Sequence, residues 1–436
     1  MNSPSPEESF VNQQHEVSQP VRAFEAVDVS SLEFWRLSAE KRDESFERLR
    51  RTAPVSWQPP VDSEIVEPDI DGYWAVVSHE LVRQVSMDSE TFCSGEGIQM
   101  EDLPIEILEA ASGFLAMDGD KHKQMRRLMS SAFTPKQIKR LEGQIADRAR
   151  TIAEGLVELG SGDFVENVSK QMPMNTFYDI AGLPQEFRDA AAHNADGMAA
   201  WNDPDVAQGR TPGEVLNESL VGNLTIGLEF AELTRACPRD DVWSNLVRAE
   251  VDGVGLTDDE LATMFVLMSF AGNDTTRSTI TLGTKALLDH PDQLAWLMED
   301  YEARIDGAIE EVLRWTSPII HMRRTATRDT ELGGREIKKG DWVVMFYISA
   351  NRDEAVFENP WHFDITRKPN QQFAFGGGGA HFCLGSLLAK MMLKYTFKEI
   401  FTQIPELTLG EPEPLIGNFA RAFKTMPATT GCPVAP

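Results

Sequence analysis

The stretch that decides the reading is FAFGGGGAHFCLGSLLAK, residues 373–390, near the C-terminal end of a 436-residue chain. Four glycines precede a histidine and a single cysteine. From Cys383 onward, Leu384, Leu387, Leu388, Met391 and Met392 recur at helical spacing. Cysteine acts as nucleophile or metal ligand in its thiolate form, which needs positive potential to exist near neutral pH. A helix N-terminus supplies it, because the first amides, here those of Leu384, Gly385 and Ser386, lack intrahelical partners and can point at the sulfur. Gly376 to Gly379 carry no side chains, so a flat, bulky ligand can lie close to their backbone. On these residues alone three other readings stay open. The cysteine can be a small buried apolar residue, a nucleophile with His381 as its base, or part of a phosphate-cradling loop, although Gly-Lys-Ser/Thr does not follow the glycines.

Composition narrows the choice. Hydrophobic residues make up 42% of the chain, enough for a large core, and the formal charge of −28 repels a phosphate backbone, so no nucleic acid partner is expected. The first residues are polar with no apolar h-region, and the apolar runs are too short to span a bilayer, so the expectation is a cytoplasmic protein without a membrane anchor. Cys93, Cys237, Cys383 and Cys432 are scattered, with no CxxC pair, which argues against a disulfide framework or a structural zinc site. Residues 1–25 read as a disordered tail and 26–436 as one domain.

Helical patterns recur over residues 39–51, 135–159, 213–233 and 304–315, and strand patterns over 73–77 and 342–346. Residues 93–117 and 183–212 read as long irregular connections. Residues 257–290 read as one helix of roughly 50 Å, opened by a capping box at Thr257 and Glu260 and ended by Pro291. In its middle the apolar run gives way to Gly272, Asn273, Asp274, Thr275 and Thr276, residues that weaken or bend a helix.

At this point FGGGGAHFCLG resembles the haem-ligand loop of the cytochrome P450 family, with Cys383 at the position of the iron-binding thiolate. The commonest family pattern has phenylalanine where Gly376 stands, and Phe375 lies one residue earlier, a departure similar to a bacterial subgroup that oxidises methyl-branched lipids and sterols. The other motifs follow in the family's order. The string from Ala271 to Thr276 resembles the oxygen-activating kink, which implies Asp274 as proton relay and Thr275 as the hydroxyl that holds a hydrogen-bonded water. Glu311 and Arg314, with Arg367 downstream, resemble a buried structural network. His122 and Arg126, then Arg324 and His381, match donors to the haem propionates, and Phe375 and Gly385 complete the cofactor contacts.

The resemblance implies a fold that is mainly α with small β-sheets, the haem buried between a long central helix and the cysteine helix. It implies haem b as cofactor and a soluble monooxygenase that hydroxylates an apolar lipid, terpenoid or sterol. Electrons would come from a ferredoxin and ferredoxin reductase with NAD(P)H as ultimate donor, O2 being the oxidant, and the protein working as a monomer. Ile98, Phe114, Leu115, Met268, Phe270, Ala271, Ile319, Ile320 and Phe419 are the pocket residues implied. Lys123, Arg127 and Lys390 are the expected docking set for the acidic electron donor. The alternatives are a peroxide-driven enzyme of the same fold and a haem carrier without turnover. A carrier has no use for the acid and alcohol of the kink.

Overall fold

Helix Pro135–Leu159 has the bounds the sequence leads one to expect. Thr134 caps it by accepting from the Gln137 N–H, Pro135 opens it, and Gly160 ends it with a φ of 68°. The structure is a computed structural model and describes residues 22–431 apart from 62–64, 67, 102, 202, 240, 252 and 416. The expected tail lies outside the described residues except for 22–25, and so does Cys432.

The fold is mainly α with small β-sheets. Five strands form the largest sheet: β1 (Val55–Gln58), β2 (Tyr73–Val76), β3 (Phe92–Cys93), β4 (His321–Ala326) and β5 (Trp342–Phe346), in the order β1-β2-β5-β4-β3. Only the β5–β2 pair is parallel; Val344 faces Ala75 there, and in the antiparallel β5–β4 pair Val343 faces Arg324. Every residue of β2 and β5 is buried, because one apolar cluster covers each face of the sheet. The helical part packs Pro135–Leu159 on Ser386–Gln403, and Pro212–Ala236 on both Gln185–Ala199 and Asp258–Ala271. Among the described residues no helix is long and apolar enough to cross a membrane.

Three expectations change. The helix expected over 257–290 is two helices, Asp258–Ala271 and Asp274–Asp289, with the capping box at Thr257 and Glu260 in place. The chain turns at Gly272 and Asn273, where the Asn273 N–H bonds back to the Phe270 carbonyl at 3.2 Å. Residues 183–212 are not an irregular connection, since they hold helices Gln185–Ala199 and Pro204–Ala207. The buried face of the first is made of small residues, Ala191, Ala195 and Gly197, with Met198 at its end, and so gives little apolar periodicity in the sequence. Within 93–117, residues 94–101 are irregular as expected, but Ile105–Ser112 is a helix and Gly113–Ala116 a 3₁₀ turn.

Candidate active site

The glycine run is a turn pressed against a neighbouring helix. Gly376, Gly378 and Gly379 have φ of 95°, 97° and 78°, a region that residues with a Cβ rarely occupy. A Cβ on Gly379 would lie 2.4 Å from the carbonyl oxygen of Ser86, on helix His79–Met87, and the Ser86 hydroxyl donates to the Gly378 carbonyl at 2.9 Å. Of the four glycines only Gly376 lines the cavity. The other three serve the turn and its contact. The loop closes through the Cys383 N–H, which donates to the Phe375 carbonyl at 3.0 Å.

The helix that follows begins at Ser386, and the N–H groups of Gly385 and Ser386 point at the Cys383 sulfur. Cys383 is exposed, but what it faces is a cavity deep in the protein. Burial therefore raises the thiol pKa, and the two amides with the Arg126 guanidinium pull it back only in part. The helix N-terminus alone does not hold a thiolate here. A bound metal cation would add the missing positive charge.

Around the same cavity stands a cluster of cationic and imidazole groups. Arg126, Arg324 and His381 border it, and His122 is set behind, its ring 4.2 Å from that of His381. His122 and Arg324 are buried. The Arg126 guanidinium donates to the Phe382 carbonyl and Arg324 Nη1 to the Arg323 carbonyl at 2.7 Å. The nearest carboxylate is Asp118, 4.0 Å from His381 Nε2, and it already accepts from the Ser94 and Gly95 N–H groups. Burial, Arg324, His122 and Arg126 push the His381 pKa down to about 3. His122 Nε2 and His381 Nδ1 are buried without a partner. Arginine cations without a paired carboxylate, beside orphaned imidazole nitrogens, suit an anion from outside the chain. The two carboxylates of a haem are such anions, so the residues present fit the group.

Also at the cavity wall, the chain bends at Gly272 and Asn273. Asp274 is buried, and its pKa is pushed up to about 6 by burial, against the opposing charge of Arg277. Arg277 Nη1 lies 3.5 Å from Asp274 and 3.2 Å from Asp196. Asp196 pairs with Lys170 at 2.8 Å, and Lys170 with Glu166 at 3.2 Å, whose side chain is exposed. A file of charged groups thus leads from the cavity to the surface. The Thr275 hydroxyl donates to the Ala271 carbonyl at 2.9 Å.

The cavity, of about 330 Å³, is lined by Ile98, Phe114, Leu115, Met268, Phe270, Ala271, Ile319 and Phe419. Ile320 does not line it. Neighbours on an extended chain point to opposite sides, so Ile319 faces the cavity while Ile320 packs under the sheet with Trp342, Phe346 and Ile348. Met198, Trp201 and Leu216 also line the cavity without having been expected there: the first two sit on or beside the helix whose pattern is weak, and Leu216 on Pro212–Ala236, whose pattern does not say which face meets the cavity. Ser94 and Asp118 likewise had no local signal.

Behind the cysteine helix, Glu311 and Arg314 are fully buried and paired, Arg314 Nη2 to Glu311 Oε1 at 2.7 Å and Nε to Oε2 at 2.8 Å. Arg367 Nε and Asn370 Nδ2 donate to the same carboxylate at 3.2 and 3.0 Å. Arg314 Nη1 is taken by the Asn351 and Pro360 carbonyls. Of the expected docking set, Lys123 pairs with Asp120 at 3.0 Å and Lys390 with Glu310, while Arg127 is exposed.

A sequence model of the family described as Cytochrome P450 matches residues 233–403. The chain is 35% identical over 410 residues to a methyl-branched lipid omega-hydroxylase of Mycobacterium tuberculosis, covering 92% of this chain and 94% of that one. It is 38% identical over 408 residues to a steroid C26-monooxygenase of Rhodococcus jostii, covering 90% and 83%. Among solved structures, a Mycobacterium marinum cytochrome P450 in complex with pseudoionone matches with a TM-score of 0.91 at 45% identity, covering 94% of this chain and 100% of that one.

Proposed function

The chain belongs to the cytochrome P450 family and is a haem-dependent monooxygenase, and on that premise we propose that it hydroxylates an unactivated C–H bond of a neutral or weakly polar lipid, terpenoid or sterol. The observation that carries this reading is convergence: the Cys383 sulfur, the cluster around Arg324 and the bend at Asp274 all face one apolar cavity. The names of the relatives support the substrate class. Haem b is the form proposed, with Cys383 as its thiolate ligand and His122, Arg126, Arg324 and His381 toward its carboxylates.

When bound, the haem iron supplies the activation of O2 and the transfer of one oxygen atom. The chain supplies position and protons. The apolar walls hold the substrate and keep water away from the reacting carbon. Asp274, with a pKa of about 6, is poised to carry a proton near neutral pH, and Arg277, Asp196 and Lys170 connect it to the surface. The Thr275 hydroxyl donates to the Ala271 carbonyl, and a helical threonine has a second favoured rotamer, which would free that hydroxyl to order a water in the cavity. A carrier would need neither group. The proposed setting is cytoplasmic, as a monomer reduced by a separate ferredoxin and ferredoxin reductase drawing on NAD(P)H, with the electron donor meeting the face that carries Arg127.

The test begins with the holoprotein. Its reduced carbon-monoxide complex should show the red-shifted Soret band of thiolate ligation, and Cys383→Ala should lose that band together with turnover. Spectral titration with pseudoionone, a methyl-branched fatty acid and a sterol should then give a spin-state change with at least one of them. Product formation should need NAD(P)H, O2 and the two electron-transfer proteins. Turnover driven only by added peroxide, or no turnover with any of the three, would sink the reading.

A further inference from the structure

Two irregular segments that contribute to the cavity wall, residues 94–101 and 417–420, come from distant parts of the chain and meet on one buried side chain. His321, first residue of β4, is fully buried. Its Nε2 lies 3.0 Å from the Met100 amide nitrogen and its Nδ1 lies 2.9 Å from the Asn418 carbonyl oxygen. An amide N–H can only donate and a carbonyl oxygen can only accept. Nε2 must therefore be the bare nitrogen and Nδ1 the protonated one. Neither the other tautomer nor the imidazolium can make both bonds.

Each bonded segment lines the cavity next to its bond: Ile98 and Gln99 in one, Phe419 and Ala420 in the other. The His321 ring also meets the Phe419 ring edge to face, 5.4 Å between centroids. Other attachments share the work: Asn418 Nδ2 donates to Glu101 Oε1 at 3.2 Å, the Arg323 guanidinium donates to the Glu96 carbonyl, and backbone bonds tie the segments to β4 and to the two residues before it. The Arg323 N–H donates to the Ile98 carbonyl at 2.7 Å, the Ile320 N–H donates to the Phe419 carbonyl at 2.9 Å, and Ile319 bridges Ala420. His321 is the one residue of β4 whose side chain joins both segments in these bonds.

We propose that His321 is a positioning residue for the monooxygenase reaction, a neutral clamp locked as the Nδ1–H tautomer that sets the spacing of Ile98 and Phe419 across the cavity and thereby where an apolar substrate lies. The burial that holds the ring uncharged, reinforced by the neighbouring Arg323 charge, keeps the clamp closed across the physiological pH range. The inference rests on the cavity being the substrate's, and the test separates the two.

Two variants of the holoprotein decide it. His321→Phe keeps a ring against Phe419 and loses both hydrogen bonds; His321→Gln keeps one acceptor and one donor. In hydrogen–deuterium exchange without substrate, the segments 97–101 and 417–420 should exchange about tenfold faster in the Phe variant, the size of one buried hydrogen bond. They should return most of the way to wild type in the Gln variant, and the distant hairpin of Thr330–Leu332 and Arg335–Ile337 should not change. Unchanged exchange in both segments, or the same acceleration everywhere, would overturn the clamp. With pseudoionone as probe, the Phe variant should bind about tenfold more weakly with its carbon-monoxide band intact. Wild-type affinity in that variant would also overturn it. If wild type itself ignores pseudoionone, the exchange arm still decides. If the Phe variant takes up no haem, nitrogen-15 resonances of the histidine-labelled wild-type carbon-monoxide complex decide instead: a bare Nε2 that does not titrate between about pH 5 and 9 supports the clamp, and a titrating or Nε2–H ring refutes it.

Discussion

Arg314 and Arg324 are the same residue type, ten positions apart and both buried, yet they live in opposite electrostatic settings. Arg314 is satisfied by the chain itself, through both oxygens of Glu311 and the carbonyls of Asn351 and Pro360. Arg324 lines the cavity with Arg126 and the neutral His381, and the carboxylate beside them, Asp118, is already held by two backbone amides. A buried charge neutralised internally is scaffold. A buried charge with no carboxylate paired to it is half of a binding site, because the desolvation cost of the group is offset only when an anion arrives.

The largest expected effect comes from breaking the satisfied setting. Glu311→Ala leaves the buried Arg314 guanidinium and the half-buried Arg367 guanidinium unneutralised and should cost about 3–5 kcal/mol, read as a lower denaturation midpoint with and without haem. A loss below about 1 kcal/mol would mean water reaches the network, and the contrast with Arg324 would fail.

Arg324→Leu should separate the two states of the protein. Losing the proposed charge-assisted bond to a haem carboxylate should weaken haem retention by about 1.5–3 kcal/mol, measured as the rate of haem transfer to a scavenger. Without haem the same variant should melt at or above wild type, because an uncompensated buried cation is gone. Equal losses in both states would make Arg324 scaffold like Arg314.

Asp274 is the anionic counterpart of Arg324, a carboxyl whose surroundings favour its neutral form. Its folded pKa of about 6 lies above the unfolded value of 3.8, so its contribution to stability is full below pH 4 and is lost as pH rises through 6. Asp274→Asn should therefore stabilise the protein at pH 7–8 by roughly 1–3 kcal/mol and change little near pH 4, as melts across pH would reveal. It should also slow turnover while substrate affinity stays near wild type. A pH-independent difference in melting would mean the carboxyl is not desolvated.

The smallest effect belongs to a charge in neither setting. Arg127 is exposed, one residue beyond Arg126 on the same helix, and exposed charges are worth little to stability. Arg127→Glu should leave melting and substrate binding alone and slow reduction by a ferredoxin several-fold at low ionic strength. Equal rates across a salt series would remove that face as the meeting point.

The charge types of both settings were legible in the sequence, because Glu311 with Arg314 and His122 with Arg126 each carry their own helical spacing. Which setting was scaffold and which was site could be taken only from the family resemblance. Satisfaction depends on partners supplied from far away, such as the Asn351 and Pro360 carbonyls, and no local pattern announces them. Helix ends were readable where chemistry is concentrated, as at Thr134, Pro135 and Gly160. Helix Gln185–Ala199 was hidden because its packing uses alanine and glycine, whose apolar signal is weak, and with it went Met198 and Trp201 in the pocket wall. Ile320 shows the limit of resemblance at single-residue scale: its neighbour Ile319 lines the cavity and it does not.

The two donors to the Cys383 sulfur are main-chain amides, at Gly385 and Ser386. Every amino acid but proline brings that N–H with it, so mutation at these positions leaves the sulfur's electron density almost untouched. The walls of the cavity are side chains and have no such insulation. A lineage carrying this loop can therefore change what it oxidises quickly while the ligand that drives the oxidation drifts hardly at all.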